Sequence, residues 1–167
     1  MFENSAIKKV SQLKRSLSSP QKIASFAADS GISENYLIIL KREIGSLEQK
    51  PIPISSFPDI NVTLISKLND AGIKTSKDYF ESNKPESDEL FCLCNLVRIN
   101  GVGPIAAKAF YDAGYKSVSD VACADATSML EKVSNVNKIK QYYKANLGLK
   151  DMQFCIDFAL LLVKMCT

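Results

Sequence analysis

At 167 residues, the chain suits one domain or two small helical lobes and is long enough to bury a sizeable core. An apolar content of 46%, with no tryptophan and seven glycines, excludes the disordered and collagen-like classes. The net charge of +3 is too small to imply a nucleic-acid partner by itself, although its distribution is uneven: 8 basic and 5 acidic residues over 1–50, 4 and 7 over 51–95, and 9 and 6 over 96–167.

The first clear helix begins at Ser18-Ser19-Pro20, with a serine cap and proline at the first helical position, and turns Ile23, Phe26, Ala27 and Ile32 inward. Gly31-Ile32-Ser33 leads into a second helix, in which Tyr36, Leu37, Leu40 and Ile44 recur at helical spacing and Glu34, Asn35, Lys41 and Glu43 face out. This pair resembles a DNA-reading helix-turn-helix with Ser33 to Arg42 as recognition helix, but the mixed charge of the outward positions favours a packing role. Two prolines in Lys50-Pro51-Ile52-Pro53-Ile54 exclude a continuous helix and mark a connector.

Downstream, the chain repeats itself at an offset of 42 residues. Phe57-Pro58-Asp59-Ile60-Asn61 pairs with Ile99 to Gly103, and Lys67 to Thr75 with Ala109 to Ser117, so that Asp70-Ala71-Gly72 and Asp112-Ala113-Gly114 coincide. In each copy a hydroxyl residue precedes an aspartate by three (Thr75 and Asp78, Ser117 and Asp120), the capping-box spacing for the next helix. Repetition at this period indicates an array of helical pairs. Between the copies, 81–89 is a polar, acidic loop and Leu90 to Val97 a buried helix. After Ala122, Asp125 caps a helix through Met129, Leu130 and Val133, and another is expected through Ile139, Tyr142 and Tyr143. Phe154 to Cys166 is the most apolar stretch; Asp157 and Lys164 interrupt it, and it is shorter than the ~18–20 residues that span a bilayer. A buried terminal helix is expected, with an oligomer interface as the second reading.

Two glycines flank one apolar residue in Arg98-Ile99-Asn100-Gly101-Val102-Gly103-Pro104, which lets the backbone turn sharply, with φ > 0 expected at its glycines, and leaves N–H groups uncovered for an anion. From Leu96 to about Ala122 the segment resembles the helix-hairpin-helix motif, whose Gly-apolar-Gly turn grips a backbone phosphate without reading bases. The resemblance implies phosphate contact through Arg98, Asn100, Gly101, Val102, Gly103, Lys108 and Lys116, and DNA or RNA as partner. Where phosphate-binding members of the motif follow the turn with a lysine and a hydroxyl residue, this chain has Ile105 and Ala106; a structural turn or a contact to a protein partner therefore stands beside the phosphate reading. In the upstream copy, Asp59 and Asn61 replace both glycines and a carboxylate repels phosphate, so a structural pseudo-repeat is expected there. The lysines 132, 138, 140 and 144 around Tyr142 and Tyr143 suggest either a stacking surface for unpaired bases or, better, a solvated face with inward tyrosines.

The order of these pieces over residues 18–163, including Ser30-Gly31-Ile32-Ser33-Glu34 and Met129 to Asn137, resembles the uncharacterised family called DUF4332. Together these features predict an all-α protein: an N-terminal helical lobe over about 1–50, then a SAM-like tandem helix-hairpin-helix array over about 51–167, with repeats at about 54–82 and 96–125 and C-terminal helices over 126–167.

Catalysis has little support. No histidine is present as general base or metal ligand, and no nucleophile elbow or phosphate loop occurs. Cys92, Cys94, Cys123 and Cys155 are expected to be small buried hydrophobes, not a zinc site, so neither metal nor cofactor is expected. The odd cysteine count without a framework and the absence of a signal-like apolar run after Met1 point to the cytoplasm and away from a membrane.

Overall fold

A computed structural model describes the backbone of residues 10–46, 50–82, 85 and 87–166, and among these it is helical throughout, with no strand. The chain divides into two compact units, Met1–Glu48 and Gln49–Thr167.

The first unit holds α1 (Val10–Ser16), α2 (Pro20–Ser30) and α3 (Glu34–Ser46). Ser19 caps α2 by accepting the Lys22 N–H, Pro20 fills its first position, and Gly31 ends it in the left-handed region at φ +70. Leu17, Ile23, Ile32, Leu37 and Ile44 form the core, with Leu13, Phe26, Ala27 and Leu40 packed on it. Helix α1 was not legible in the sequence, and Tyr36 is not on the inner stripe: it is exposed.

The second unit begins with the connector. Its one β-bridge joins Pro53 to Thr75, and the Ser76 N–H donates to the Ile52 carbonyl at 2.7 Å, so the two-proline segment is tied to the start of a later helix. A single 3-10 turn, Ile54–Ser56, leads to α4 (Val62–Asp70) and α5 (Ser76–Phe80). Then come α6 (Glu89–Leu96), α7 (Pro104–Asp112), α8 (Val118–Ala122), α9 (Ala126–Lys140) and α10 (Leu149–Cys166).

The 42-residue repeat is a structural repeat. Adding 42 to the bounds of α4 and α5 gives those of α7 and α8. The turns agree in detail: Ile73 N–H donates to Leu68 O as Tyr115 N–H does to Phe110 O, at 2.8 and 2.9 Å, and Gly72 and Gly114 take φ +79 and +96. Thr75 caps α5 by accepting the Asp78 N–H, with Asp78 accepting from Thr75 N–H in return, and Ser117 caps α8 by accepting from Asp120 N–H. Thr75→Ala removes one arm of that capping box and is expected to cost about 1 kcal/mol, read as a shift of the urea midpoint without a change of slope.

One core serves the whole second unit. Phe110, Leu93, Leu96, Ile99, Val102, Val121 and Met129 are almost fully enclosed, and Met152, Ile156 and Ala159 of α10 join them. The terminal helix is thus buried on one face, while Phe154 and Leu161 on its other face are about half exposed. Helix α9 runs to Lys140 and stops where Gln141 turns left-handed at φ +54, so Tyr142 and Tyr143 lie in the connection to α10 and not in a helix of their own. Among the described residues no helix is long and apolar enough to cross a membrane.

Candidate functional site

The hairpin between α6 and α7 is a tight turn whose donors are partly spent inside it. Arg98 and Ile99 N–H donate to Asn95 and Leu96 carbonyls, and Val102 N–H donates to Ile99 O at 3.0 Å. Val102 itself is 1% exposed and pins the turn to the core. Gly101 supplies the left-handed residue at φ +83; Asn100 beside it is half-buried. Gly103 is not left-handed: at φ −85, ψ 176 it is the extended N-cap of α7, a conformation open to any residue, and a Cβ placed there meets nothing within 4 Å. The expectation of φ > 0 at both glycines is corrected accordingly.

Pro104 opens α7 without an N–H, and the first intrahelical bond is that of Ala107 N–H to Gly103 O. The N–H groups of Ile105 and Ala106 precede that bond and point out of the helix end, and Gly103 offers them no side-chain cap. The upstream copy differs at this point. Asp59 holds the left-handed position at φ +60, and the Asn61 side chain accepts the Thr63 N–H at 2.7 Å, filling the place that Gly103 leaves open. Among the capped helices α4, α5, α6, α8 and α9, an Asn, Thr, Asp or Ser side chain performs this duty.

The three cations expected at the hairpin are engaged elsewhere. Lys108 Nζ sits 2.7 Å from Glu89 Oε1 and 3.0 Å from Asp112 Oδ1, with its side chain only 12% exposed. Tyr142 Oη donates to the other Asp112 oxygen at 2.5 Å. Burial alone would depress the Lys108 ammonium pKa, but its bonds to Glu89 and Asp112 outweigh this and raise it. Burial would likewise raise the Asp112 carboxyl; Tyr142 and Lys108 hold it below the usual range. Tyr142 itself, through burial and then Asp112, is pushed up to about 12. Lys108 is therefore a charge-paired tie between α6, α7 and the segment after α9.

Arg98 lays its guanidinium 4.6 Å over the Phe80 ring, which stacks on Phe91, joining the first repeat to the second. Lys116 follows α7, a nine-residue helix about 13 Å long, and so lies at the opposite end from the hairpin, with Nζ 5.6 Å over Tyr111. The structure thus brings together Asn100, Gly101, Val102 and Gly103, engages Arg98 with Phe80 and Lys108 with Glu89 and Asp112, and places Lys116 at the far end of α7. The Tyr143 backbone is tied to Asn137 by bonds in both directions, Tyr142 and Tyr143 are both partly buried against the core, and Lys132 covers Tyr115.

A family model described as a SAM-like helix-hairpin-helix tandem matches residues 95–140. The match runs from the last two residues of α6 through α9, includes the open hairpin between α6 and α7, and leaves out the upstream copy whose cap is filled by Asn61. No solved structure matches the chain. Residues 95–140 are accordingly similar to a helix-hairpin-helix tandem, a fold of a kind commonly used to bind nucleic acid.

Nothing in the sequence points to Glu89 as the partner of Lys108 or to Tyr142 as that of Asp112, which come from other elements, although Asp112 stands one helical turn from Lys108 as a visible signal. Two of the buried cysteines are chemically quiet: burial pushes the Cys94 thiol up to about 12 and, with Asp151 adding to it, the Cys155 thiol to about 11. Cys123 is exposed, and among the described residues no three metal-ligating side chains converge.

Proposed function

We propose that the open hairpin at Gly101–Gly103 holds one phosphate of a nucleic-acid backbone, without reading bases, in a non-catalytic cytoplasmic protein. The carrying observation is the uncapped first turn of α7: the Ile105 and Ala106 N–H groups and the positive end of the helix face open space where the matching helix α4 is closed by Asn61. The likeness of residues 95–140 to a hairpin tandem supports this reading, as does the basic balance of residues 96–167. The order of elements remains similar to DUF4332.

Contact of this kind is weak, because Lys108 is engaged by Glu89 and Asp112 and Arg98 lies over Phe80, which leaves less Coulomb attraction for a phosphate. The engagement of Lys108 by Glu89 and Asp112 is also what favours the second reading, a protein-interaction module whose hairpin is only a turn.

Titration against duplex and single-stranded DNA at two salt concentrations separates the two. One phosphate contact gives a slope of log K on log salt of about −0.9 for duplex. Gly103→Val suits the local φ of −85 and has room, so it costs no more than about 1 kcal/mol, the loss expected of a poorer N-cap residue, while its side chain covers the helix end; a loss of at least about tenfold in affinity is expected. Ile105 is 42% exposed, and Ile105→Lys supplies the missing cation and strengthens binding. If wild type has no affinity at low salt and Ile105→Lys creates none, the interaction-module reading replaces this one.

A further inference from the structure

Helix α3 buries Leu37 and Ile44 in the core of the first unit and turns the opposite side to solvent. That outer side is not the charged surface expected of a solvated helix: Tyr36, Ile38 and Ile39 are 53%, 53% and 52% exposed. Asn35, Ile38, Ile39 and Arg42 follow one another at helical spacing along its crest. Glu34 and Lys41 line one flank, Tyr36 and Glu43 the other.

This arrangement is complementary to itself. A two-fold axis passing between Ile38 and Ile39 runs two α3 helices antiparallel, sets Ile38 against Ile38 and Ile39 against Ile39 of the second copy, and places Asn35 opposite Arg42. In an antiparallel pair each flank meets the same flank of the second copy. Glu34 then faces Lys41 of the second copy, and the Tyr36 hydroxyl faces the carboxylate of Glu43, each contact occurring twice. We infer that the outer face of α3 is a self-association surface whose occupant is a second copy of this chain, held by the four isoleucines and given its register by the Glu34–Lys41 pairs.

Sedimentation velocity of the full chain without nucleic acid tests this. A single helix pair is a small interface, so a reversible monomer–dimer equilibrium with a midpoint of roughly tens to hundreds of micromolar is expected. Ile38→Glu/Ile39→Glu should leave only monomer, with the helical circular dichroism of wild type, because neither side chain supports the core. Glu34→Lys sets lysine against Lys41 twice and is expected to weaken association roughly tenfold. Adding Lys41→Glu to it recreates both pairs with reversed polarity and should return the midpoint to within about threefold of wild type. A chain that stays monomeric at several hundred micromolar, a dimer indifferent to the isoleucine substitutions, or an exchange that restores nothing would each overturn the proposal.

Discussion

Lys108→Glu is expected to destabilise the second unit by about 3–5 kcal/mol at neutral pH. The side chain is 12% exposed and lies between Glu89 and Asp112, at 2.7 and 3.0 Å. Reversing its charge puts three carboxylates in one half-buried site and removes a donor from an Asp112 group already accepting from Tyr142. The pH dependence distinguishes this from a packing loss. In wild type the Asp112 carboxyl titrates below its ordinary range, so the stability it lends is complete above that range and is lost as pH falls through the depressed value. In the variant, like charges raise the folded-state values above the unfolded ones. The carboxyl contribution is then complete below about pH 4 and is lost as pH rises. The deficit relative to wild type should therefore be greatest near neutrality and shrink on acidification, as read by urea unfolding at pH 4 to 8. A variant within about 0.5 kcal/mol of wild type at pH 7, or a deficit that grows toward pH 4, would show that the Lys108 site is not the tie described. Because the fold itself is at stake, this substitution is a poor probe of nucleic-acid binding; Gly103→Val, which touches no such tie, is the better one.

The parts of the fold that were legible in the sequence are those fixed by local chemistry. Ser19-Pro20, Thr75 with Asp78, Ser117 with Asp120, and Asp125 all announce helix starts through side chains that reach backbone N–H groups two or three residues on, and each does so in the structure. Offset pairing found the repeat because its turns demand a small residue in the left-handed region at Gly72 and Gly114.

What escaped was decided at a distance. Lys108 is held by Glu89, 19 residues earlier, and Arg98 by Phe80, 18 earlier, so their cationic side chains could be assigned to a phosphate only while those partners were out of sight. The end of α9 depends on Gln141 in a left-handed conformation that its residue type does not advertise. Gly103 was misjudged for a different reason: its glycine serves not the backbone angle but the absence of a capping oxygen, which becomes visible only beside Asn61 in the upstream copy.

That comparison leads to a reciprocal exchange between the two hairpins. Gly101→Asp/Gly103→Asn gives the open hairpin the residues of the closed one. The introduced aspartate occupies a left-handed position that Asp59 already tolerates at φ +60, and the introduced asparagine can accept the Ile105 N–H as Asn61 accepts that of Thr63. With the helix end capped and a carboxylate beside it, affinity for duplex DNA should fall by at least about tenfold, and the salt slope should lose ~0.9. Asp59→Gly/Asn61→Gly does the reverse. Replacing the cap by glycine costs only a few tenths of a kcal/mol, and glycine at the left-handed position relieves strain, so the fold should hold. The Thr63 N–H is released, the repelling carboxylate is gone, and a second phosphate contact becomes available. The gain should be smaller than the loss, about threefold, because Pro58 has no N–H at the place matching Asn100 and because residues 51–95 carry 4 basic against 7 acidic side chains. Opposite shifts in salt slope for the two double variants, at unchanged unfolding midpoints, would tie binding to the open helix end; equal affinities in both and in wild type would mean that neither hairpin holds a phosphate.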